Sequence, residues 1–250
     1  MYILGVVLAR AGSKGLPDKC ARPLLGRAVI EYTFDHALAA QKLTRVVLTT
    51  DSKAAANLAR ARGITVIDRP AALAHDTVRV DTVARHAVEH MESTGEPAVD
   101  VVVFLYGNIP VRAPGIIDHA VAHLSKTGAD SVRTVALVTK QHPDWIHHLT
   151  GDRLEPFREN GIYRRQDLQP LYYHDGAVAV VRRNALFNAA ACGNHGQAFL
   201  GNDRRAIVQS AEDAVDIDTL VDLHFAEAVL RYRESPNDRR WDSNRLASTT

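Results

Sequence analysis

Short apolar runs alternate with helical segments through the first 138 residues, and this rhythm constrains the fold of the 250-residue chain more than any other feature. Residues 2–9 form an apolar run, and 45–50, 64–67, 99–105 and 131–138 repeat it at lengths too short for helices. Between them, 28–40, 51–62, 79–91 and 114–125 read as helices, the second behind an Asp51–Ser52 cap and the fourth opened by Pro114. Continuous apolar strands are buried on both faces, so helices must cover both sides of one sheet. Right-handed strand–helix–strand crossovers then build a mostly parallel sheet, and the predicted class is α/β. The rhythm breaks over 139–173, which is polar and aperiodic, resumes at 177–181 and closes on a helix over 218–233. The expectation is one domain, 1–233, with an excursion at about 139–175 and a polar tail at 234–250. That excursion is too long for an ordinary connection and reads as a lid, or as an arm that meets another subunit.

Composition narrows the partners. A net charge of +1 with 24% charged residues offers no global field for nucleic acid or an anionic membrane, so any basic function must be local. The chain lacks an 18-residue apolar stretch, so no transmembrane helix is expected. The first segment lacks a basic leader and reads as a buried strand rather than a signal peptide. Two cysteines, Cys20 and Cys192, make neither a disulfide framework nor a zinc quartet, and a cytoplasmic location is expected.

The segment from Arg10 to Lys19 follows the first strand directly, where open parallel sheets bind ligands. Gly12 and Gly15 permit close backbone approach, and exposed backbone N–H groups can cradle phosphate oxygens. Arg10, Lys14 and Lys19 bring three cations within ten residues. The spacing is neither a Walker A loop nor a dinucleotide fingerprint. A nucleoside triphosphate is the expected ligand, with a solvated basic turn as the plain alternative. Near the other end, Asp216 and Asp218 flank Ile217. In an extended segment the two carboxylates share a face while Ile217 points inward. One or two carboxylates completed by phosphates and waters suit magnesium. The plain alternative is that either aspartate caps the following helix.

Read together, these segments resemble the CMP-sugar synthetases of the acylneuraminate cytidylyltransferase family. The family's opening loop (A-R-x-G-S-K-G-L-P-x-K-N) is matched from Ala9 to Cys20, and its Thr-Thr-Asp element by Thr49, Thr50 and Asp51. Arg69, Pro70, Leu73, Ala74, Asp76 and Thr77 match R-P-x-x-L-A-x-D-T. Arg164 to Leu168 match R-R-Q-D-L, and Asp216 to Leu223 match D-I-D-T-x-x-D-L. The likeness runs over about residues 2–233. It implies a Rossmann-like, three-layer α/β/α nucleotidyltransferase fold with a small protruding dimerisation arm. It also implies transfer of CMP from CTP to an acidic keto-sugar, nonulosonic or Kdo-like, with magnesium and release of pyrophosphate. By this resemblance Leu8, Ala9, Arg10, Gly12, Ser13, Lys14, Lys19, Cys20, Arg69 and Asp76 bind the nucleotide. Asp216 and Asp218 hold the metal and, with Arg10 and Lys19, are the expected catalytic set. Tyr106, Asn108, His174, Asp175 and, from the arm of a homodimer partner, Arg165 and Gln166 face the sugar. The basic arm segment is expected to meet the sugar carboxylate.

Three positions depart from the family. Cys20 replaces a loop asparagine and is a poor hydrogen-bond partner. The segment from Leu105 to Arg112 replaces L-Q-P-T-S-P-L-R and is similar, at Gly107, Asn108 and Pro110, to the Q-G-D-E-P turn of the Kdo cytidylyltransferases. His174 and Asp175 stand where the family has P-N. The last two changes, in sugar-facing segments, imply an acceptor other than ordinary N-acetylneuraminate. The alternatives are a nucleotidyltransferase of the same fold with another base or sugar, or a nucleotide-binding, non-catalytic homologue. His86, Glu89 and His90 fit a zinc-protease spacing on an ordinary amphipathic helix, and zinc chemistry is not expected there.

Overall fold

The structure, a computed structural model, describes residues 1–12, 15–189 and 196–235. Its strands are β1 (Ile3–Leu8), β2 (Pro23–Leu24), β3 (Arg27–Ala28), β4 (Arg45–Thr50), β5 (Thr65–Asp68), β6 (Val101–Tyr106), β7 (Ser131–Leu137), β8 (His147–Thr150), β9 (Arg153–Pro156), β10 (Tyr172–Arg182) and β11 (Arg204–Gln209). Its helices are α1 (Val29–Ala39), α2 (Lys53–Ala61), α3 (Val80–Ser93), α4 (Ile116–Thr127), α5 (Arg183–Phe187) and α6 (Leu220–Glu234).

Seven strands make one sheet in the order β11-β7-β10-β6-β1-β4-β5. Strand β10 runs antiparallel to β6 and β7, and the other neighbours are parallel. Alternation along β1 builds the two helical layers. Ile3 and Val7 join Ile30 and Phe34 of α1, Ala59 of α2 and Leu124 of α4 on one face. Leu4, Val6 and Leu8 join Val83 and Met91 of α3 and Leu186 of α5 on the other. Each such aliphatic side chain contributes about 1.5–3 kcal/mol by leaving water, which is why both faces must be covered. The chain passes from β1 to β4 and β5 on one side, then returns to β6 on the other. That reversal opens a crevice over the carboxyl end of β1.

A third apolar cluster seats α6. Leu223, Ala226 and Val229 pack with Leu16, Leu24, Val111, Val215 and the fully buried Ile217. The C-terminal helix thereby anchors to the loop after β1 and to the turn after β6.

Several elements differ from the sequence expectation. Edge strand β11 was not predicted, because Arg204 and Arg205 at its start hide a short apolar pair. Strand β10 begins at Tyr172 and pairs Tyr172, Tyr173 and His174 with β7, so the sheet takes up the last residues of the expected excursion. The rest of that excursion carries the exposed β8–β9 hairpin. Helix α6 extends through Glu234, and the tail expected from there lies beyond Ser235, outside the described residues. Among the described residues, no helix is long and apolar enough to cross a membrane.

Candidate active site

The crevice over β1 is a cavity of about 200 Å³ lined by Leu8, Ala9, Arg10, Lys19, Cys20, Arg69, Val80, Val83, Tyr106 and Asn108. Eight of the residues expected at the nucleotide or sugar thus come together with one another. Gly12 lies on the same loop, whereas Ser13 and Lys14 fall outside the described residues.

Carboxylates from distant segments tie the loop down. The Ala11 N–H donates to Asp51 at 2.9 Å, giving the Thr49–Asp51 element a structural purpose. Arg10 pairs with Asp76. The Lys19 ammonium sits 2.6 Å from Asp218 Oδ1. Arg69 donates to the Thr49 carbonyl at 2.8 Å and holds the end of β4, and burial pulls its pKa down. The two glycines differ. A Cβ on Gly12 would meet nothing within 4 Å, but on Gly15 it would lie 2.6 Å from the Asp218 carbonyl oxygen. At position 15 glycine is therefore required by the approach of another chain segment.

The aspartates sit where their alternation implied. Ile217 is buried, and Asp216 and Asp218 are exposed on either side of it. Their segment is pinned to the turn after β6. The Ile217 N–H donates to the Asn108 carbonyl at 3.0 Å, and Asn108 Nδ2 donates to the Ile217 carbonyl at 3.1 Å and to Asp216 Oδ1. Neither carboxylate caps α6: Thr219 does, accepting from the Asp222 N–H at 3.3 Å, while Asp222 returns the bond in a capping box. Desolvation first, then the neighbouring Asp218 charge, raises the Asp216 pKa. Two adjacent carboxylates, one already meeting an ammonium, form a donor set suited to a hard cation that brings its own oxygen ligands. The His86, Glu89 and His90 trio makes no such site. Among the described residues no three His, Cys, Asp or Glu side chains gather around a metal position.

Burial pushes the Cys20 thiol up to about 11, so it stays protonated. Cys192 lies outside the described residues. Asp175 is buried, accepting from Thr134 Oγ1 at 2.5 Å, the Ala177 N–H at 2.9 Å and Gln209 Nε2 at 2.8 Å; its carboxylate braces β10 against β7 and β11. His174 lies at the exposed start of β10, where desolvation and then Arg133 lower its pKa. Arg165 and Gln166 are exposed on the excursion and line no part of the cavity. Their neighbour Arg164 is committed to Asp167 by two bonds of 2.9 and 3.0 Å.

Sequence reasoning assigned no role to Arg112. It is fully buried and donates to the carbonyls of Tyr106 (2.9 Å), Ala177 (2.8 Å) and Ile109 and to Thr33 Oγ1 (3.0 Å). Desolvation lowers its pKa to about 9, and four acceptors compensate for the missing carboxylate partner. It locks the turn that carries Asn108. A buried arginine leaves no periodic signal, so only its place at the end of the 105–112 segment pointed to it.

The comparisons agree with this geometry. A cytidylyltransferase family model matches residues 4–190. An N-acylneuraminate cytidylyltransferase of Streptococcus agalactiae is 28% identical over 87% of this chain, which spans about half (51%) of that relative's length. A CMP-N,N'-diacetyllegionaminic acid synthase of Legionella pneumophila is 28% identical over 94% of this chain and 98% of its own. Among solved structures, a CMP:2-keto-3-deoxy-manno-octonic acid synthetase complexed with CTP superposes with a TM-score of 0.70 at 17% identity, over 93% of this chain and 100% of that one. With the Rossmann-like sheet, the basic loop after β1 and the family match over three quarters of its length, the chain belongs to the cytidylyltransferase family.

Proposed function

We propose that the chain transfers CMP from CTP to an acidic keto-sugar and releases pyrophosphate. The observation that carries this reading is the meeting of Arg10, Lys19 and Asp218 at the mouth of one crevice at the carboxyl end of β1. A polyphosphate needs those cations, and each is held at rest by a carboxylate that can release it. CTP would draw Arg10 from Asp76 and Lys19 from Asp218, so the phosphates replace resting partners instead of meeting a rigid cage. Asp216 and Asp218 would hold magnesium. What the ion adds when bound is charge neutralisation on the phosphates and a lower pKa for the attacking hydroxyl. The sugar hydroxyl attacks the α-phosphorus in line, the bond to the bridging oxygen breaks, and pyrophosphate leaves. Lys19 and Arg10 offset the charge that grows as it departs, so positioning and electrostatics dominate the catalysis. Leu8, Ala9 and Cys20 form the wall for the nucleoside, and Tyr106 stands between that wall and the acceptor side.

The acceptor is read as an acidic sugar that is deoxygenated or additionally acylated relative to N-acetylneuraminate. Tyr106 puts a ring where an amide would otherwise bond a hydroxyl. The relative matched nearly end to end carries a diacylated acidic sugar in its name. The chain acts as a homodimer through its excursion, on which Ile146, Leu149, Leu154, Phe157 and Tyr163 are exposed, Leu149 at 67% and Tyr163 at 93%. Such apolar exposure on a hairpin fits a partner surface, and the partner's Arg165 and Gln166 would then close over the acceptor. The test is pyrophosphate release from each of the four NTPs, with and without N-acetylneuraminate, N,N'-diacetyllegionaminate and 3-deoxy-manno-octulosonate. CTP-specific, sugar-dependent release is expected, with N-acetylneuraminate poorer than the diacylated sugar. Equal use of all four NTPs would overturn the base assignment, and a preference for N-acetylneuraminate would overturn the acceptor reading.

A further inference from the structure

A second recess adjoins the nucleotide crevice and shares Tyr106 with it. It lies over β6, β10 and β7, on the side of the sheet away from the phosphate loop, and Phe104, Arg133, Gly176 and Phe199 also line it. Its volume is about 20 Å³, room for roughly one water-sized group rather than a sugar ring. Arg133 is its only charged lining residue among those described.

Arg133 is held there by the sheet. It pairs in register with Ala179 on β10 and with Ala206 on β11, and Ala179 in turn faces Phe104 on β6. Registered residues share a face, so the arginine side chain has two alanines beside it and room to lie along the sheet surface. The irregularity of β10 between His174 and Ala179, with Gly176 at a φ of 77°, opens the strand beside the recess. A side chain at position 176 would strike Ile109 Cδ1 at 2.9 Å and narrow this corner.

The guanidinium has no ion-pair partner among the described residues. Its side-chain contact is a long one, 3.4 Å, to Gln197 Oε1. The nearby Asp175 carboxylate is engaged by Thr134, Ala177 and Gln209. Desolvation lowers the Arg133 pKa, and Arg204 adds positive charge in the vicinity. A half-buried arginine with no carboxylate partner is costly to maintain, and a planar fork is matched by a carboxylate.

We propose that Arg133 is this subunit's receptor for the acceptor carboxylate, gripping it at the mouth of the recess beside Tyr106 while the sugar ring stays above. The inference rests on the cytidylyltransferase reading, and it assigns the carboxylate to β7 instead of to Arg165 on the arm. His174 is linked to the same Gln197 side chain, and desolvation lowers its pKa and so disfavours its charged form. Arg133 therefore supplies the formal charge.

The test is made on the full chain with whichever of the three acids named above the wild type uses best, and with the uncharged carboxamide of that sugar. Arg133→Gln should raise KM for the acid by about 10- to 100-fold, the loss expected of a charge-assisted pair. It should leave the CTP dissociation constant within about twofold and add little to the penalty already suffered by the carboxamide. Arg133→Lys should recover part of the loss, because a point charge replaces a fork. An unchanged KM for the acid, or equal penalties for acid and carboxamide, overturns the proposal. So does an acid-specific penalty that follows Arg165→Gln and not Arg133→Gln. Should Arg133→Gln fail to bind CTP, Arg133→Lys decides: a fall of about threefold or more in the acid-to-amide ratio of kcat/KM sustains the assignment, and no change ends it. A wild type inert with CTP and all three acids defeats the enzymatic reading itself, and the assignment with it.

Discussion

The loop after β1 and the excursion between β7 and β10 are both polar, irregular and rich in cations, yet the fold treats them in opposite ways. The loop is tied to the body by Asp51, Asp76 and Asp218, which come from three separate segments, and Gly15 lies against the backbone of Asp218. The excursion satisfies itself locally: Arg153 meets Glu155, Arg164 meets Asp167, and its apolar side chains stay in water. Long-range ion pairs hold cations in place for a ligand, because the resting partner is also the group the ligand must displace. Local pairs with exposed leucines and aromatics leave a surface that is complete only against something else. On this contrast the proposed function gives nucleotide chemistry to the loop end, and assembly and acceptor closure to the arm.

The contrast is most exposed to a change at the aspartates. Asp216→Asn and Asp218→Asn should each lower kcat by two or more orders of magnitude with the fold intact, since a shared cation loses both charge and geometry. Steady-state rates at limiting magnesium check this, and wild-type turnover in both variants would remove the metal assignment. Removal of 145–168 probes the opposite region. A soluble monomer that binds CTP but transfers CMP at least about tenfold more slowly is expected, read by light scattering, calorimetry and pyrophosphate release. A monomeric wild type would break the contrast outright.

A finer division runs within the loop. Lys19→Ala should cut kcat by about 10- to 100-fold and weaken CTP binding less, because its charge matters most as pyrophosphate departs. Lys14→Ala should act mainly on binding. If the two variants change kcat and CTP affinity in the same proportion, no such division exists.

The smallest effect concerns the support beneath the turn after β6. His36 Nε2 lies 3.3 Å from the Pro110 carbonyl, and desolvation, followed by the neighbouring Arg112 charge, lowers its pKa from 6.5 to about 4. The folded chain therefore favours neutral His36. The stability linked to it is fully present above about pH 6.5 and is lost as pH falls from there toward 4, by at most on the order of 3 kcal/mol. His36→Gln should flatten this acid slope, measured as urea midpoints at pH 7 and pH 4.5. An unchanged slope would show that His36 is not the group that titrates.

Strands β1, β4, β6 and β7 and helices α1 to α4 were legible because each buries a regular face, and burial imposes a period on the sequence. The same holds for Asp216 and Asp218, whose separation by one buried isoleucine is a local, two-residue property of extended chain. Edge strand β11 and the early start of β10 were not legible, since an edge or half-exposed strand needs no apolar period. Asp175 looked like a sugar-facing residue in sequence, and the fold turns it into an internal brace, because Thr134 and Gln209 from two other strands converge on it.

The sequence by itself determined the α/β layering, the basic loop and the paired carboxylates, since each is set by neighbours a few positions apart. Tertiary structure alone decided what those groups touch. Lys19 meets Asp218 across 199 positions, Asn108 reaches Asp216 across 108, and Arg112 closes on carbonyls from two strands. Arg133, with no ion-pair partner among the described residues, came to lie beside Tyr106 in the same way. Such contacts depend on strand order and register, and a periodic pattern carries information about which face a residue takes but not about which distant residue will face it.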